Sequence, residues 1–506
     1  MSNVLPLQQL AQVLADRRAQ QSLKIVHCHG VFDLLHIGHI RHLERARQLG
    51  DLLVVTLTPD HFVNKGPGRP AFPADMRAEA LAALAFVDYV AINEWPTAVE
   101  TLELLAPDLY VKGSEYRQEA LDVTGKIGDE IAAVRRGGGD IAFTDEVVFS
   151  SSHLIQKHLS PLPPEVREYL DAFREQHSFQ EVHQYIQGAQ KLKVLVVGEA
   201  IIDEYQYCEA IGKSSKEPTL VARRTQLERF AGGVLAVANH LAEFSNSVSL
   251  LTMLGKTNSM QDFVEENLHP SVDAHYVYRQ DGPTIVKRRY VERYFFQKLF
   301  EMYDLNDVEL SDEDNRDLCL KLEKLLPEHD LVIVVDYGHG FLSKESIQIL
   351  CEKSKFLAVN AQCNAGNQGY HTISHYARAD FVATTEKEMR LEARRRGGDL
   401  REIVKEVATR LKRGKLCVTR GSNGCLTYDP DQGFVEVPAV ADRVVDRVGA
   451  GDAFLSVAAC CVAQGAPLAI AGLAGNAAGA QAVATVCNQE PVRKMALIRH
   501  LQTLLK

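Results

Sequence analysis

The sequence predicts an α/β protein with two doubly wound domains, one after the other. At 506 residues, the chain is too long for one ordinary domain. On both sides of residue 160, short apolar strands alternate with helical stretches, which is typical of parallel sheets covered by helices. Between them, "SPLPPEVREYL" (160–170) carries three prolines in its first five positions and indicates a boundary. We therefore expect a first domain over 1–160, a helical linker over 161–190 and a second domain over 191–506.

The elements of the first domain follow from apolar runs and helical periodicity. Strands are predicted at 22–28, 51–57, 88–92, 108–113 and 140–144, and helices at 38–50, 74–84 and 97–105, with a last helix starting near Ser150. The second domain begins with "KLKVLVVGEAIIDEY" (191–205), interpreted as a strand followed by Asp203. The uncharged stretch 453–489 is broken by glycines and a proline, so it predicts two buried small-residue helices rather than a membrane span.

Composition narrows the class of protein. Hydrophobic residues make up 46% of the chain and charged residues 24%, as in ordinary globular proteins. The net charge of −10 argues against a nucleic-acid partner. The ten cysteines are scattered, which favours buried, reduced thiols. The N-terminus lacks the apolar core of a signal peptide, so we expect a cytoplasmic enzyme without a membrane partner.

The stretch "HCHGVFDLLHIGHIRHLERA" (27–46) joins an apolar strand to a helix that starts near Gly38. A helix N-terminus attracts phosphate through its free N–H groups and its dipole, and Gly38 lets the backbone approach closely. His36 and His39 flank this start and can donate to a phosphate as charge builds in a transition state. A metal site is the alternative, because His27 and His29 add ligand spacing, but spacing alone is a weak signal.

A second site is predicted at "VVDRVGAGDAFLS" (444–456), before the uncharged helical stretch. The N–H groups of Gly449, Ala450 and Gly451 can form an anion hole. Asp452 can accept the proton of an attacking hydroxyl, as phosphoryl transfer requires. On this motif alone, Asp452 can equally be a helix cap.

An ordered set of motifs within residues 20–160 resembles the nucleotidylyltransferases of the cytidylyltransferase type: "GVFDLLHIGHIRHLERARQLGD", "KGPGRPAFPADMRAEALAAL", "PDLYVKGSEY" and "FSSSHLI". The resemblance implies a Rossmann-like nucleotidylyltransferase domain. A sugar or polyol phosphate would attack the α-phosphate of a nucleoside triphosphate and release pyrophosphate. The catalytic residues implied are His36, His39 and Lys112. The nucleotide and phosphate contacts implied are Gly30, Phe32, Asp33, Gly38, Lys65, Arg69, Ser150, Ser151 and Ser152.

Residues 191–506 resemble the ribokinase-like (PfkB-type) sugar kinases, so a C-terminal ribokinase-like α/β domain is expected. The motifs are "VVGEAIIDEYQY", "FAGGVLAVANHLAEF", "TIVKRRYV", "VVDYGHGFL", "CVTRGSNGCLTY" and the Gly-Ala-Gly-Asp turn. Within that class they look most like the heptose 7-phosphate kinases of bacterial lipopolysaccharide biosynthesis. Those kinases are fused to an adenylyltransferase in bifunctional enzymes that make ADP-heptose; here the two modules stand in reversed order.

The kinase resemblance implies a role for each matching residue. Asp452 would be the base, with Gly449, Ala450 and Gly451 as the anion hole. Asp203, Gly232, Gly233 and Asn239 would contact the sugar, and Lys287 and Arg289 its phosphate. Thr419, Arg420 and Gly421 would lie on the nucleotide side and Asn476 near the adenine. Glu388 would hold Mg²⁺ through water, and ATP would be the phosphate donor.

Three departures keep an alternative open. Thr385 replaces the asparagine usual before Glu388, and Val448 replaces a common threonine. The loop "LAVNAQCNAGNQGY" (357–370) replaces an Asp-Pro-Lys pattern, and its polar side chains either bind a substrate or form turns. The chain is therefore either a bifunctional kinase and nucleotidylyltransferase or a nucleotidylyltransferase with a degenerate kinase-like half for ligand binding or oligomerisation. ATP and CTP both stay open for the first domain, and a homo-oligomer is expected.

Overall fold

The computed structural model describes residues 3–63, 70–113, 127–144, 162–411 and 414–505. The chain divides into two compact units. Residues 1–163 and 498–506 form the first, and residues 164–497 form the second. The helices Pro164–Gln176 and Phe179–Gly188, which were expected to link the domains, therefore belong to the second unit.

The described part of the first unit is a parallel five-stranded sheet in the order β3-β2-β1-β4-β5 with helices in the connections. Its elements are α1 (Leu7–Gln20), β1 (Ile25–Gly30), α2 (Ile37–Arg47), β2 (Leu52–Leu57), α3 (Ala74–Ala82), β3 (Tyr89–Ile92), α4 (Val99–Leu105), β4 (Leu109–Gly113), α5 (Ile127–Arg136) and β5 (Asp140–Thr144). The order reverses between β1 and β4, the point at which doubly wound sheets bind their ligands. The five predicted strands and the helices predicted at 38–50, 74–84 and 97–105 are confirmed, with ends that differ by up to three residues.

The strands of this sheet are apolar because both faces are covered. Leu53 and Val55 pack with α2 and α3 residues on one face, and Val54 packs with α1 on the other. This two-sided burial explains the continuous hydrophobic run of β2, in which every residue is buried. Helix α1 was not predicted, since its sequence was considered only as a possible targeting segment.

The second unit is built on more strands, two of them unusually long. Its elements are α6 (Pro164–Gln176), α7 (Phe179–Gly188), β6 (Lys193–Lys213), β7 (Leu220–Gly233), α8 (Val234–Ala242), β8 (Ser247–Thr257), α9 (Gln261–Asn267), β9 (Val272–Pro283), β10 (Ile285–Glu292), β11 (Gln297–Asp304), α10 (Asp312–Leu325), β12 (Leu331–Asp336), α11 (Lys344–Lys353), β13 (Leu357–Ala361), β14 (Phe381–Thr385), α12 (Glu386–Glu392), α13 (Leu400–Arg410), β15 (Lys415–Thr419), β16 (Cys425–Asp429), β17 (Gly433–Val437), α14 (Ala450–Ala463) and α15 (Leu468–Ala482). Helix α16 (Lys494–Leu504) follows.

Strand β6 belongs to two sheets. Its first part pairs with β8 and β12 in a sheet that is parallel from β9 to β15 and ends in the antiparallel strands β16 and β17. Its second part pairs with β7 and β10 in a smaller sheet that β11 completes. Asp203 therefore lies inside β6, not after its end as predicted, because the strand continues into the second sheet.

The two small-residue helices predicted in the uncharged stretch are confirmed as α14 and α15. They approach closely because a Cβ atom at Gly475 would lie 2.7 Å from the ring of Phe454. No helix in the described ranges combines the length and the apolar character that a bilayer crossing needs.

Candidate active sites

The first candidate site lies where β1 ends and α2 begins. His36 is the N-cap of α2, and its Nδ1 accepts a hydrogen bond of 3.1 Å from the Gly38 N–H. The rings of His36 and His39 stack with centroids 4.0 Å apart. Burial lowers the pKa of His36, so its ring is neutral at pH 7 and the Nε2 atom carries the proton. Both imidazoles thus stand together at a helix start, as the sequence predicted.

The loop between β1 and α2 is held in a strained shape. Phe32 and Leu34 have φ values of 49° and 50°, which side chains rarely adopt. Both carboxylate oxygens of Asp33 accept the Ala71 N–H, at 2.9 and 3.0 Å. The buried guanidinium of Arg77 donates to Thr58 O at 2.9 Å and to Val31 O. Arg77 was not among the predicted site residues, although it lies in a motif that carries the family resemblance.

In the other three histidines of this stretch, a ring nitrogen forms a hydrogen bond with a threonine hydroxyl of the protein. His27 Nε2 and His29 Nδ1 lie 2.7 and 2.9 Å from the hydroxyl of Thr56. His42 Nδ1 lies 2.7 Å from the hydroxyl of Thr144. Burial and the charge of Lys112 lower the pKa of His29 to about 3 and that of His42 to about 4. Among the described residues, no group of three or more histidine, cysteine or carboxylate side chains can hold a metal.

Lys112 lies near the carboxyl end of β4, beside the end of β1 in the sheet order. Its ammonium group lies 2.9 Å from the carboxylate of Glu130, which also accepts a 2.9 Å hydrogen bond from the Tyr110 hydroxyl. This ion pair fixes the lysine in a largely buried position. The predicted phosphate contacts Lys65, Arg69, Ser150, Ser151 and Ser152 lie outside the described residues.

The second candidate site is a cavity of about 290 Å³ in the second unit. It opens at the carboxyl ends of the parallel strands β12, β13, β14 and β15, where α/β sheets bind ligands. Its lining residues are Ile201, Asp203, Gly233, Lys287, Arg289, Tyr337, Asn360, Gln362, Ala383, Thr384, Thr385, Glu388, Thr419, Arg447, Val448, Gly449, Gly451, Asp452 and Phe454. The fold thus brings most of the predicted kinase residues into one cavity.

Asp452 lies in the first turn of α14, and its side chain is buried. Its Oδ1 accepts a 3.2 Å hydrogen bond from the Tyr337 hydroxyl and a 3.5 Å contact from the Gln362 amide. Burial and the neighbouring charge of Asp203 raise the pKa of Asp452 to about 7. A carboxylate with this pKa is suited to accept a proton near neutral pH.

Opposite Asp452, an acidic residue is paired with a cation. Asp203 accepts from the guanidinium of Arg289, which also contacts Glu301 at 3.1 Å. A Cβ atom at Gly232 would lie 2.1 Å from the Asp203 carboxylate, so this position requires glycine. Burial lowers the pKa of Lys287, whose ammonium lies 5.1 Å from the Tyr337 ring centroid.

On the side of β14, Thr385 caps α12 in a reciprocal arrangement with Glu388. Glu388 Oε2 accepts from the Thr385 N–H at 2.9 Å and from two threonine hydroxyls, and its Oε1 accepts the Cys363 N–H at 3.1 Å. Thr385 therefore orients Glu388 in place of the asparagine usual at this position. Thr419 also faces the cavity, and its hydroxyl donates to Thr384 O at 3.3 Å.

Other predicted contacts lie away from the cavity lining. The Asn239 side-chain amide donates to Asn267 O and accepts the His269 N–H, each at 2.8 Å, between α9 and β9. Asn476 donates to the carbonyls of Val437 and Pro438 at 3.1 and 3.0 Å. Ala450, Arg420 and Gly421 do not line the cavity either.

Residues 191–495 match the sequence model of the pfkB family carbohydrate kinases, over more than half of the chain. The chain belongs to the pfkB family of carbohydrate kinases. The pfkB unit contains the cavity with Asp452, and the α/β class predicted for it is confirmed. Residues 27–157, with the paired histidines, match the cytidylyltransferase-like family, as predicted for the first domain.

Curated relatives match parts of the chain. The bifunctional protein HldE of Citrifermentans bemidjiense is 40% identical over 162 residues, which are 31% of this chain and 32% of that protein. The bifunctional protein HldE of Ectopseudomonas mendocina is 30% identical over 293 residues, 56% of this chain and 59% of that protein. The matches thus span about a third of the first relative's length and less than two thirds of the second's.

Solved structures match the pfkB unit in fold. A crystal structure of phosphofructokinase-2 from Escherichia coli in complex with substrates and products superposes with a TM-score of 0.50 at 15% identity. It covers 62% of this chain and 100% of that chain. At this identity the match supports the fold of the pfkB unit alone.

Proposed function

We propose that this chain is a bifunctional enzyme of nucleotide-sugar synthesis. The pfkB unit would transfer the γ-phosphoryl group of ATP to a sugar phosphate, and the first unit would join the resulting sugar 1-phosphate to a nucleotide and release pyrophosphate. The observation that supports this most is Asp452, a buried carboxylate with a pKa near 7 that lines a cavity with Lys287 and Arg289. Similarity to two HldE proteins favours an ADP-heptose-like product.

In the pfkB unit, Asp452 would take the proton from the attacking hydroxyl. The N–H groups at the start of α14 would donate to the negative charge that develops on the transferred phosphoryl group. Asp203, whose position is fixed by Arg289, would accept a hydrogen bond from a hydroxyl group of the sugar. Lys287 and Arg289 both line the cavity, so a phosphate on the substrate could contact the Lys287 ammonium there.

The donors around Glu388 fit a Mg²⁺ ion held through water. Its Oε1 accepts the Cys363 N–H and, like any carboxylate oxygen, can accept a further hydrogen bond from a water molecule. Magnesium prefers such outer contacts because it keeps several of its waters. When bound, Mg²⁺ neutralises charge on the phosphates of ATP.

In the first unit, His36 and His39 would donate to the triphosphate as pyrophosphate leaves. The neutral state of His36 leaves one proton on Nε2, which is the atom that a phosphate oxygen can accept from. Positioning at the end of β1 and the helix dipole of α2 supply the remaining stabilisation.

The proposal is tested with the purified full chain, Mg²⁺, and either ATP or CTP. Heptose 7-phosphate, hexose 6-phosphates and the corresponding 1-phosphates are supplied in turn, and ADP and pyrophosphate are measured separately. We expect ADP from heptose 7-phosphate with ATP, and pyrophosphate from the 1-phosphate. Pyrophosphate without ADP on every sugar would instead favour a nucleotidylyltransferase whose pfkB unit only binds a ligand.

We also propose that the protein is a cytoplasmic homo-oligomer. The small sheet around β6, β7, β10 and β11 exposes large apolar residues, including Leu220 at 81%, Phe295 at 78% and Phe300 at 57%. An exposed apolar surface of this kind usually contacts a partner, and a second copy of the chain carries the same surface.

Light scattering of the purified chain is expected to give a multiple of the 56.1 kDa chain mass. The variant Phe300→Glu with Met302→Glu places two charges on one face of β11 and should lower the measured mass to that of one chain. Leu320→Glu, an exposed residue of α10, is the control and should leave the mass unchanged. A wild-type mass of one chain would contradict the proposal.

A further inference from the structure

The turn that follows β12 is held by hydrogen bonds from each of its N–H groups. It consists of Tyr337, Gly338 and His339, and its three successive N–H groups all donate to buried carboxylates. Tyr337 N and His339 N donate to Glu199 at 3.0 and 2.9 Å, and Gly338 N donates to Asp336 at 3.0 Å. Glu199 and Asp336 are 0% and 1% exposed. All three acceptors are buried, so breaking any of these hydrogen bonds would leave an unsatisfied polar group, and the turn is fixed at three successive N–H groups.

The same turn is held from the other side by residues 364–367, which we call the asparagine loop. The amide groups of Asn364 and Asn367 both donate to the carbonyl of Tyr337, at 2.8 and 2.9 Å. Each asparagine also accepts an N–H of the other, at 2.8 and 3.1 Å. The sequence left open whether the polar side chains of this loop bind a substrate or form turns. The side chains of Asn364 and Asn367 stabilise a turn.

The turn leaves no space for a side chain at Gly338. Gly338 has φ +66°, and a Cβ atom there would lie 2.4 Å from Asn367 Nδ2 and 2.7 Å from the His371 ring. The His371 ring in turn lies 3.0 Å from the Asp336 carboxylate. The backbone of Tyr337 is thus fixed at its N–H, at its carbonyl and at the residue that follows.

The side chain of Tyr337 reaches the candidate base. Its hydroxyl donates to Asp452 Oδ1 at 3.2 Å, and burial raises the tyrosine pKa well above its ordinary value, so the phenol stays protonated and donates. We infer that Tyr337 positions the Asp452 carboxylate for phosphoryl transfer, and that the asparagine loop acts on the reaction through Tyr337. The inference rests on the kinase function proposed above.

Several charged groups face Asp452 and must be considered with Tyr337. Asp203 on β6 raises the pKa of Asp452, and Lys287 on β10 lowers it. The hydrogen bonds from Tyr337 and from Gln362 on the β13 side also lower it, because they favour the ionised carboxylate. Removing the Tyr337 hydroxyl should therefore raise the pKa of Asp452, so that the kinase loses its base at a higher pH.

The test measures ADP release by the full chain with ATP and heptose 7-phosphate, or the sugar phosphate of the panel that replaces it. Tyr337→Phe should lower kcat about ten-fold, with little change in KM, because a hydrogen bond to a charged group is lost. The acid limb of its kcat–pH profile should move to higher pH. Asn364→Ala with Asn367→Ala should change kcat and the acid limb in the same directions. The exposed loop variants Gln368→Ala and Tyr370→Phe are the matched controls and should match the wild type.

Combining the variants separates positioning through Tyr337 from general damage to the fold. In the Tyr337→Phe background, the two asparagine changes should cost little further kcat, since their effect passes through the same hydroxyl. A full additional loss, or an unmoved acid limb in Tyr337→Phe, would overturn the inference while leaving the kinase function in place. A wild type that releases no ADP from any sugar phosphate would contradict the proposed function itself, and the inference with it.

Discussion

Asp452→Asn is expected to abolish ADP release, by roughly 10²–10⁴-fold in kcat, because the attacking hydroxyl loses its proton acceptor. The amide has nearly the same shape as the carboxylate and still fits beside Tyr337 and Gln362. Substrate binding should therefore change less than turnover. Substrate binding is followed by calorimetry with the sugar phosphate, and turnover by ADP release.

Two controls accompany this variant. Asp442→Asn changes an exposed aspartate ahead of the same turn and should keep full ADP release. Pyrophosphate formation from the sugar 1-phosphate should be the same in Asp452→Asn and in the wild type, since the paired histidines lie in the other unit. Retained ADP release in Asp452→Asn would show that another group is the base.

His39→Ala is expected to give the complementary result, a loss of pyrophosphate formation of roughly 10²–10³-fold with ADP release unchanged. The physical reason is the loss of a donor at the start of α2, where negative charge grows as pyrophosphate leaves. The ring also stacks on His36, so His36→Ala is predicted to have a loss of similar size. Pyrophosphate is measured by a coupled colorimetric assay with the sugar 1-phosphate.

Glu44→Ala serves as the control on the same helix, because Glu44 is exposed and lies two turns from the helix start. It should form pyrophosphate at the wild-type rate. Wild-type pyrophosphate formation by both histidine variants would remove the basis for placing the triphosphate at this helix start.

Pattern and spacing predicted the centre of each site, and the resemblance to known families implied the residues around it. The paired histidines follow directly from a strand, a loop and a helix start that are contiguous in the chain, so local sequence is enough to bring them together. The same holds for the glycine turn and Asp452 at the start of α14. Such sites are formed within ten or so residues, and their geometry depends little on the rest of the fold.

Other features of the candidate sites were missed or misplaced. Asn239 was expected at the sugar, but both its amide atoms are used between α9 and β9, by Asn267 O and the His269 N–H. A polar residue on a helix can face either a cavity or a neighbouring element. The spacing of Asn239 from Gly232 and Gly233 does not show which of the two it faces. Tyr337 was not singled out, although it directly follows a buried strand that ends in an aspartate, which was the available signal.

The sequence by itself determined the division into two α/β units, the strand and helix order of the first, and the positions of the paired histidines and of Asp452. These features come from local periodicity and from contiguous motifs. Only the tertiary structure decided that Tyr337 contacts Asp452 across 115 residues of chain, that Arg289 pairs with Asp203 across 86, and that Asn364 and Asn367 support a turn. Such contacts depend on which strands are neighbours in the sheet, and the residue spacing within one segment does not predict the order of the strands.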